Sequence, residues 1–143
     1  MADASGFQLT PSQQAFLDTA LTTGYNAWCS PVVVELERAH AVMRFRPRPE
    51  MQTPWGTLNG AVMNSMVELP SFVALLTELV DGEMPVTSDV FIQHVRAMPG
   101  DVDYVMDGRL LRRGRTMAWT EVTVSADGKP VTFARITKSI VTR

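Results

Sequence analysis

One long apolar stretch in the middle of the chain constrains this sequence more than any other feature. Its apolar side chains cover most of the circumference of a predicted helix that begins near Asn59 and ends near Leu79. Such a helix belongs inside a protein. Its polar residues Asn64, Glu68 and Ser71 are spaced i, i+4 and i+7, so they form one narrow stripe. Because a buried carboxylate is costly without a partner or a task, this stripe is the candidate functional site.

Composition and charge exclude several classes of protein. A chain of 143 residues fits one domain. Thirteen basic and fifteen acidic residues give a net charge of −2, so no basic field favours nucleic acid or an anionic membrane. Asn64, Glu68 and Pro70 interrupt the apolar stretch, which argues against a membrane span. A single cysteine excludes an internal disulfide framework, and the N-terminus lacks secretory-signal features, so we expect a cytoplasmic protein.

The order of predicted elements indicates an α+β domain. A surface helix begins after the N-cap Thr10 and ends at Gly24. Six segments have the β-branched or alternating composition of strands: 32–37, 39–46, 86–95, 102–112, 116–124 and 131–141. We therefore expect an antiparallel sheet wrapped around a single buried helix. The predicted boundaries are an N-terminal helical segment, residues 1–30, and a main unit, residues 31–143, within a single domain overall.

Several short motifs together resemble the hotdog-fold acyl-CoA thioesterases, and most closely their phenylacetate-type branch. They are the segment Gly56–Ala61, an acidic residue nine positions after Asn59, and the strand end Arg96–Asp101. Gly114–Arg115 and Asp127–Lys129 are similar to later hairpins of that branch. The resemblance implies the hotdog fold and hydrolysis of an acyl thioester. It also implies a homodimer at least, with a dimer of dimers as a further arrangement.

The spacing within the central helix fits thioester chemistry. A helix start presents unpaired N–H groups, and Gly60 lets a substrate oxygen approach one of them closely, as in an oxyanion hole. Glu68 lies two turns further on, about 12 Å away. The resemblance implies that the helix start of one subunit faces the acid of the other. Glu68 then acts as a general base on water or as a nucleophile, and the sequence leaves both roles open. The alternative is a structural glutamate.

Other polar residues have a functional and a structural interpretation. Ser71 either orients the carboxylate or packs as a small residue, and Asn64 either lines the acyl pocket or faces a subunit interface. One of Thr87 and Ser88 is expected to contact the attacking water. His94 is either a second acid–base group or a half-exposed strand residue, and the second interpretation is favoured.

Asn59 departs from the family pattern, which usually has His at this position. Asparagine is a good N-cap but does not titrate, so catalytic activity depends on what that His does. Pro70 should kink the helix just after Glu68. Trp55, just before the helix, either covers the thioester or anchors its loop.

The predicted substrate is an acyl thioester of coenzyme A or of an acyl carrier protein, and the acyl group is left open. Arg112, Arg113 and Arg115 cluster at a hairpin turn, where guanidinium groups suit the phosphates of coenzyme A, although a solvated turn explains each one singly. No metal and no separate cofactor are expected, because two histidines and one cysteine do not form a ligand set. Two other classes stay open: an acyl-thioester dehydratase, which pairs His with its acid at other spacings, and a non-catalytic acyl-thioester-binding protein.

Overall fold

The computed structural model describes residues 7–143. The prediction that the first residues carry no secretory signal falls largely outside this range. The helices are α1 (Pro11–Thr22), α2 (Gly24–Cys29), α3 (Gly60–Met66) and α4 (Glu68–Leu76), with a short 3-10 helix at Pro49–Met51. The strands are β1 (Val32–Glu37), β2 (His40–Phe45), β3 (Glu83–His94), β4 (Tyr104–Arg113), β5 (Met117–Ala126) and β6 (Lys129–Thr142).

The six strands form one antiparallel sheet in the order β1-β2-β4-β5-β6-β3. One face of the sheet, here called the inner face, packs on α4, chiefly through β2, β4 and β5. The predicted α+β architecture, a sheet wrapped around a central helix, is confirmed. The N-terminal helix α1 is also present, with the predicted cap at Thr10. The second short helix, α2, was not predicted, because Gly24 was interpreted as a helix end and instead begins a new helix.

The central helix starts where the sequence predicts and ends earlier. Asn59 caps it, since its Oδ1 accepts a hydrogen bond from the Ala61 amide at 2.9 Å. The last helical residue is Leu76 instead of Leu79. All residues of the range 69–76 are buried. Among residues 7–143, no helix is long and apolar enough to cross a membrane.

The central helix is interrupted once, at Val67, which separates α3 from α4. Val67 keeps helical dihedral angles, φ −62° and ψ −21°, so the chain does not leave the helical conformation there. Pro70 has no N–H to donate to the carbonyl of Met66, which accounts for the interrupted hydrogen-bond ladder. The interruption in the hydrogen-bond ladder falls just before Glu68, and the predicted kink just after Glu68 stays a prediction.

Close approach between α4 and the sheet depends on a glycine in β4. A Cβ added at Gly108 would lie 2.5 Å from the carbonyl oxygen of Pro70, so only glycine permits this packing. On its other side α4 contacts α1, where the Phe16 and Phe72 rings meet edge to face with centroids 5.2 Å apart. The first contact fixes α4, and therefore Glu68 at its start, relative to the sheet, and the second fixes α4 relative to α1.

Strand β3 forms one edge of the sheet, and most of its residues are exposed. It pairs with β6 along its whole length, with a register shift between Thr87 and Asp89 that marks a β-bulge. The apolar residues Val86, Val90 and Phe91 are exposed on this strand. A twelve-residue edge strand with exposed apolar side chains is a surface suited to pairing with another strand.

Candidate active site

The Glu68 carboxylate lies between two donors from the sheet. Thr87 Oγ1 donates to Oε2 of Glu68 at 2.7 Å. Lys138 Nζ donates to the same oxygen at 2.6 Å and to Thr87 Oγ1 at 2.9 Å. The Glu68 side chain is 30% exposed and that of Lys138 is 5% exposed. The carboxylate therefore reaches solvent, whereas its cationic partner does not.

Strand pairing places both donors beside α4. Thr87 of β3 and Lys138 of β6 are directly opposite each other in the ladder, so their side chains point to the same face. The bulge that follows Thr87 changes which residues of β3 point to the inner face. Ser88, the other candidate for this position, instead contacts Ser139, with 2.6 Å between the two Oγ atoms. Of the two predicted hydroxyls, Thr87 is the one that contacts Glu68.

A second polar cluster lies at the start of α3, around His94. Its Nε2 is 3.0 Å from Oδ1 of Asn64, and its Nδ1 is 2.9 Å from Oγ1 of Thr132. Because an amide oxygen only accepts, Nε2 of His94 donates to Asn64. A Cβ added at Gly60 would lie 3.7 Å from Nε2 of His94. The imidazole therefore borders the first residue of the helix.

The Gly60 amide is available to a ligand. The side chain of Asn59 is used on the Ala61 amide, and the Asn59 carbonyl accepts from Val62 at 3.0 Å. Within residues 7–143, no hydrogen-bond acceptor contacts the Gly60 N–H. Trp55, in the loop before the helix, is 85% exposed, and its predicted contact with the thioester stays a prediction.

The two clusters are separate within one chain. Gly60 and Glu68 are eight residues apart, which corresponds to about 12 Å along a helix. Both clusters lie along the inner face of β3, with Thr87 in the first half of the strand and His94 at its end. In the described part of the chain, no group of three or more His, Cys, Asp or Glu side chains is arranged to hold a metal ion.

Two predicted site residues, Ser71 and Arg113, are bonded to other side chains of the protein. Ser71 is 0% exposed and its hydroxyl pairs with Thr120 at 2.6 Å, so it belongs to the core and not to a substrate pocket. Arg113 forms an ion pair with Glu83, and this hydrogen bond lowers the pKa of the Glu83 carboxyl. The guanidinium of Arg113 is thus held by Glu83, and its contact with coenzyme A phosphates stays a prediction.

The other two arginines of the hairpin are exposed. The Arg112 guanidinium lies 5.6 Å from the centroid of the Trp119 ring, on the outer face of the sheet. Arg115 lies at the turn between β4 and β5 and is also exposed. Their contact with coenzyme A phosphates stays a prediction.

Sequence reasoning did not identify Lys138 or the partners of His94. Along β6, Ala134, Ile136 and Ile140 are buried, and Lys138 has the same parity. A lysine at a core position of a strand is therefore a signal that could have been found. For His94 no local signal existed, because its contacts are with a helix thirty residues earlier.

A sheet that wraps a central helix is the fold of the hotdog thioester hydrolases. The comparison of the sequence with family profiles leads to the same class. The profile of the thioesterase superfamily matches residues 56–132, more than half of the chain. The chain therefore belongs to the thioesterase superfamily, and the predicted class of enzyme is confirmed at this level. The matched segment includes Gly60, Glu68, Thr87 and His94, whereas Lys138 lies beyond it. No curated protein sequence matches the chain.

Solved structures of thioesterases share the fold over most of the chain. A mutant thioesterase from Pseudomonas aeruginosa aligns with a TM-score of 0.81 and 20% identity, covering 95% of this chain and 97% of the other. A phenylacetic acid degradation-related protein from Ralstonia eutropha aligns with a TM-score of 0.79 and 18% identity, covering 90% and 98%. A thioesterase protein from Streptococcus pneumoniae, solved with coenzyme A, aligns with a TM-score of 0.72 and 18% identity, covering 79% and 90%.

Proposed function

We propose that the protein is an acyl-CoA thioesterase in which Glu68 acts on the thioester and the helix start at Gly60 stabilises the oxygen. The observation that carries this proposal is the Glu68 carboxylate, which is fixed by Thr87 and Lys138 and yet reaches solvent. A carboxylate with only a structural role needs no exposure. An oriented carboxylate that a substrate or water can reach is what a base or nucleophile requires.

The start of α3 supports the electrostatic half of the reaction. The unpaired Gly60 N–H points out of a helix end, which carries partial positive charge. One good donor to a developing oxyanion contributes on the order of 3–4 kcal/mol. His94 borders the same position, and its Nε2–H is a second donor once a substrate oxygen replaces Asn64 as acceptor.

Two subunits are needed to combine these halves, because about 12 Å of helix separates them in one chain. The exposed edge of β3 supports pairing with a second copy. If two β3 strands pair antiparallel about a two-fold axis near Phe91, His94 of one strand lies opposite the bulge that follows Thr87 of the other. That arrangement brings the helix start of one subunit to Glu68 of the partner subunit. A dimer then has two equivalent sites.

Either role of Glu68 completes the hydrolysis. As a base, the carboxylate takes a proton from water, and the resulting hydroxide adds to the thioester carbonyl; the tetrahedral intermediate then expels the thiolate. As a nucleophile, the carboxylate oxygen attacks the carbonyl carbon and expels the thiolate, leaving a mixed anhydride that water hydrolyses. In both routes negative charge develops on the carbonyl oxygen, where the Gly60 amide acts.

Coenzyme A is the proposed carrier. The fold-similar protein from Streptococcus pneumoniae was solved with this molecule. Arg112 and Arg115, both exposed at the β4–β5 turn, are the residues proposed to contact its phosphates. No separate cofactor enters the reaction.

Asn59 supports one alternative, a protein that binds acyl thioesters without hydrolysing them. The family resemblance places His at this position, and Oδ1 of Asn59 is used as the helix cap. Hydrolysis of a panel of acyl-CoAs, followed by thiol release, separates the two functions. We expect Glu68→Gln to reduce kcat by on the order of 100-fold or more. The matched control is Glu121→Gln, the same change on the outer face, and it should retain activity. Binding of acyl-CoAs without any hydrolysis would instead favour the binding protein.

A further inference from the structure

Lys138 is unusual among the charged residues of this chain. It is the one charged side chain in residues 7–143 that is buried, and it lies on the inner face of β6 between Ile136 and Ile140. Charged residues are rarely buried without a partner. Lys138 has two, the Glu68 carboxylate and the Thr87 hydroxyl.

The two donors to Glu68 share one carboxylate oxygen. Lys138 Nζ and Thr87 Oγ1 both donate to Oε2, and Lys138 in turn donates to Thr87. The three groups thus form a closed triangle of hydrogen bonds. Within residues 7–143, no donor contacts Oε1 of Glu68. Two donors on one oxygen fix the position of the carboxylate and leave the second oxygen unoccupied.

We infer that Lys138 is a positioning residue that anchors Oε2 and thereby presents Oε1 as the reacting oxygen of Glu68. Its side chain is 5% exposed, so it reaches the carboxylate and not the substrate. The inference rests on the proposed function, because Oε1 has a task only if Glu68 acts on a thioester or on water. It adds a residue outside the segment that matches the superfamily profile, which ends at residue 132.

A positioning role and a purely structural ion pair predict different kinetics. If Lys138 fixes the reacting oxygen, its loss should lower kcat, because a displacement of about 1 Å can cost on the order of 100-fold in rate. It should leave KM nearly unchanged, because Lys138 does not contact substrate. A purely structural pair would affect the amount of folded protein and not the rate per folded site.

Steady-state hydrolysis of the best acyl-CoA by Lys138→Met, with the folded fraction measured on the same sample, tests this. Lys129→Met is the matched control, because Lys129 is the only other lysine and is exposed. We expect kcat of Lys138→Met to fall on the order of 10- to 100-fold with KM changed by less than about threefold. The control should match the wild type.

Chemical rescue provides the second arm. Lys138→Ala leaves room for a small primary ammonium, so ethylammonium should restore part of kcat, and tetramethylammonium, which has no N–H donor, should not. A kcat of Lys138→Met within twofold of the wild type would overturn the inference. The inference would also be overturned if Lys138→Met changed only KM or the folded fraction and if ethylammonium did not restore the activity of Lys138→Ala. If the wild type hydrolyses no acyl-CoA, the proposed function fails and this inference fails with it. If the wild type is active and Lys138→Met is equally active, only this inference fails.

Discussion

Removing either partner of the Glu68–Lys138 pair should destabilise the fold by unequal amounts. Glu68→Gln leaves a 5% exposed ammonium without its carboxylate, whereas Lys138→Met leaves a carboxylate that is 30% exposed and keeps its bond from Thr87. Water can compensate the second loss far better than the first. We therefore expect Glu68→Gln to be clearly the more destabilising single substitution.

The geometry sets the magnitude of the difference. At 2.6 Å the Coulomb attraction is about 6 kcal/mol for an effective dielectric constant near 20. Desolvation of the ammonium offsets several kcal/mol of this, and loss of one partner of a buried pair costs about 3–5 kcal/mol. The amide oxygen of Gln still accepts from Lys138, which recovers about 1 kcal/mol. The net expectation is about 2–4 kcal/mol for Glu68→Gln and about 1 kcal/mol or less for Lys138→Met.

Urea unfolding of both single variants and the double variant, at one protein concentration, measures these quantities. In the double variant neither charge remains, so its stability should exceed that of Glu68→Gln alone. The coupling free energy from the cycle should therefore exceed the cost of Lys138→Met alone. Equal costs for the two single variants, or additive costs in the double variant, would refute the reasoning that Lys138 is a buried cation held by Glu68.

Three further predictions concern packing, ionisation and thiol reactivity. Gly108→Ala should destabilise the protein by about 1–3 kcal/mol in thermal or urea unfolding, because the added Cβ meets the backbone of Pro70. Glu83→Gln should lose on the order of 1 kcal/mol at neutral pH. The Arg113 hydrogen bond lowers the pKa of Glu83 in the folded state, so its stabilisation is present above its ordinary value of 4.5 and disappears as the pH falls below it. Burial raises the pKa of the Cys29 thiol, so iodoacetamide should modify it slowly in the folded protein and rapidly after unfolding, as mass spectrometry can follow.

Each of these predictions has a matched control or a contrary result. Gly100→Ala should be milder than Gly108→Ala, because the three atoms nearest to its Cβ belong to the flexible side chain of Gln52. A constant difference between wild type and Glu83→Gln from pH 7 to pH 3 would exclude the proposed ion-pair origin. Equal alkylation rates of Cys29 before and after unfolding would contradict its burial.

The central helix could be predicted from the sequence because its signals are local. The apolar periodicity, the asparagine at Asn59 before a glycine, and the acid at Glu68 all lie within about twenty residues, and the predicted start is correct. Pro70 correctly indicated an interruption. Its place depends on which neighbouring hydrogen bonds survive, and the structure puts it at Val67. The local sequence thus predicts that the helix is interrupted. It predicts the position of the interruption less accurately.

The partners of the site residues could not be predicted, because they come from distant strands. Lys138 is seventy residues from Glu68, and strand parity alone places it on the inner face without naming its partner. The choice between Thr87 and Ser88 depended on a β-bulge, and a one-residue shift exchanges the faces of a strand. The sequence places Arg113 at a turn with no visible partner, yet it forms an ion pair with Glu83, thirty positions earlier. Tertiary pairing decides all three.

Complementation between two inactive variants is the decisive measurement for the shared site. Gly60→Pro removes the proposed oxyanion N–H at the first helical position, where proline is well tolerated, and Glu68→Gln removes the carboxylate. Each variant alone should be nearly inactive. After co-refolding, half of the dimers are mixed and one of their two sites is intact, so the mixture should recover about a quarter of wild-type kcat. A mixture no more active than either variant alone would contradict a site built from the Gly60 of one subunit and the Glu68 of another.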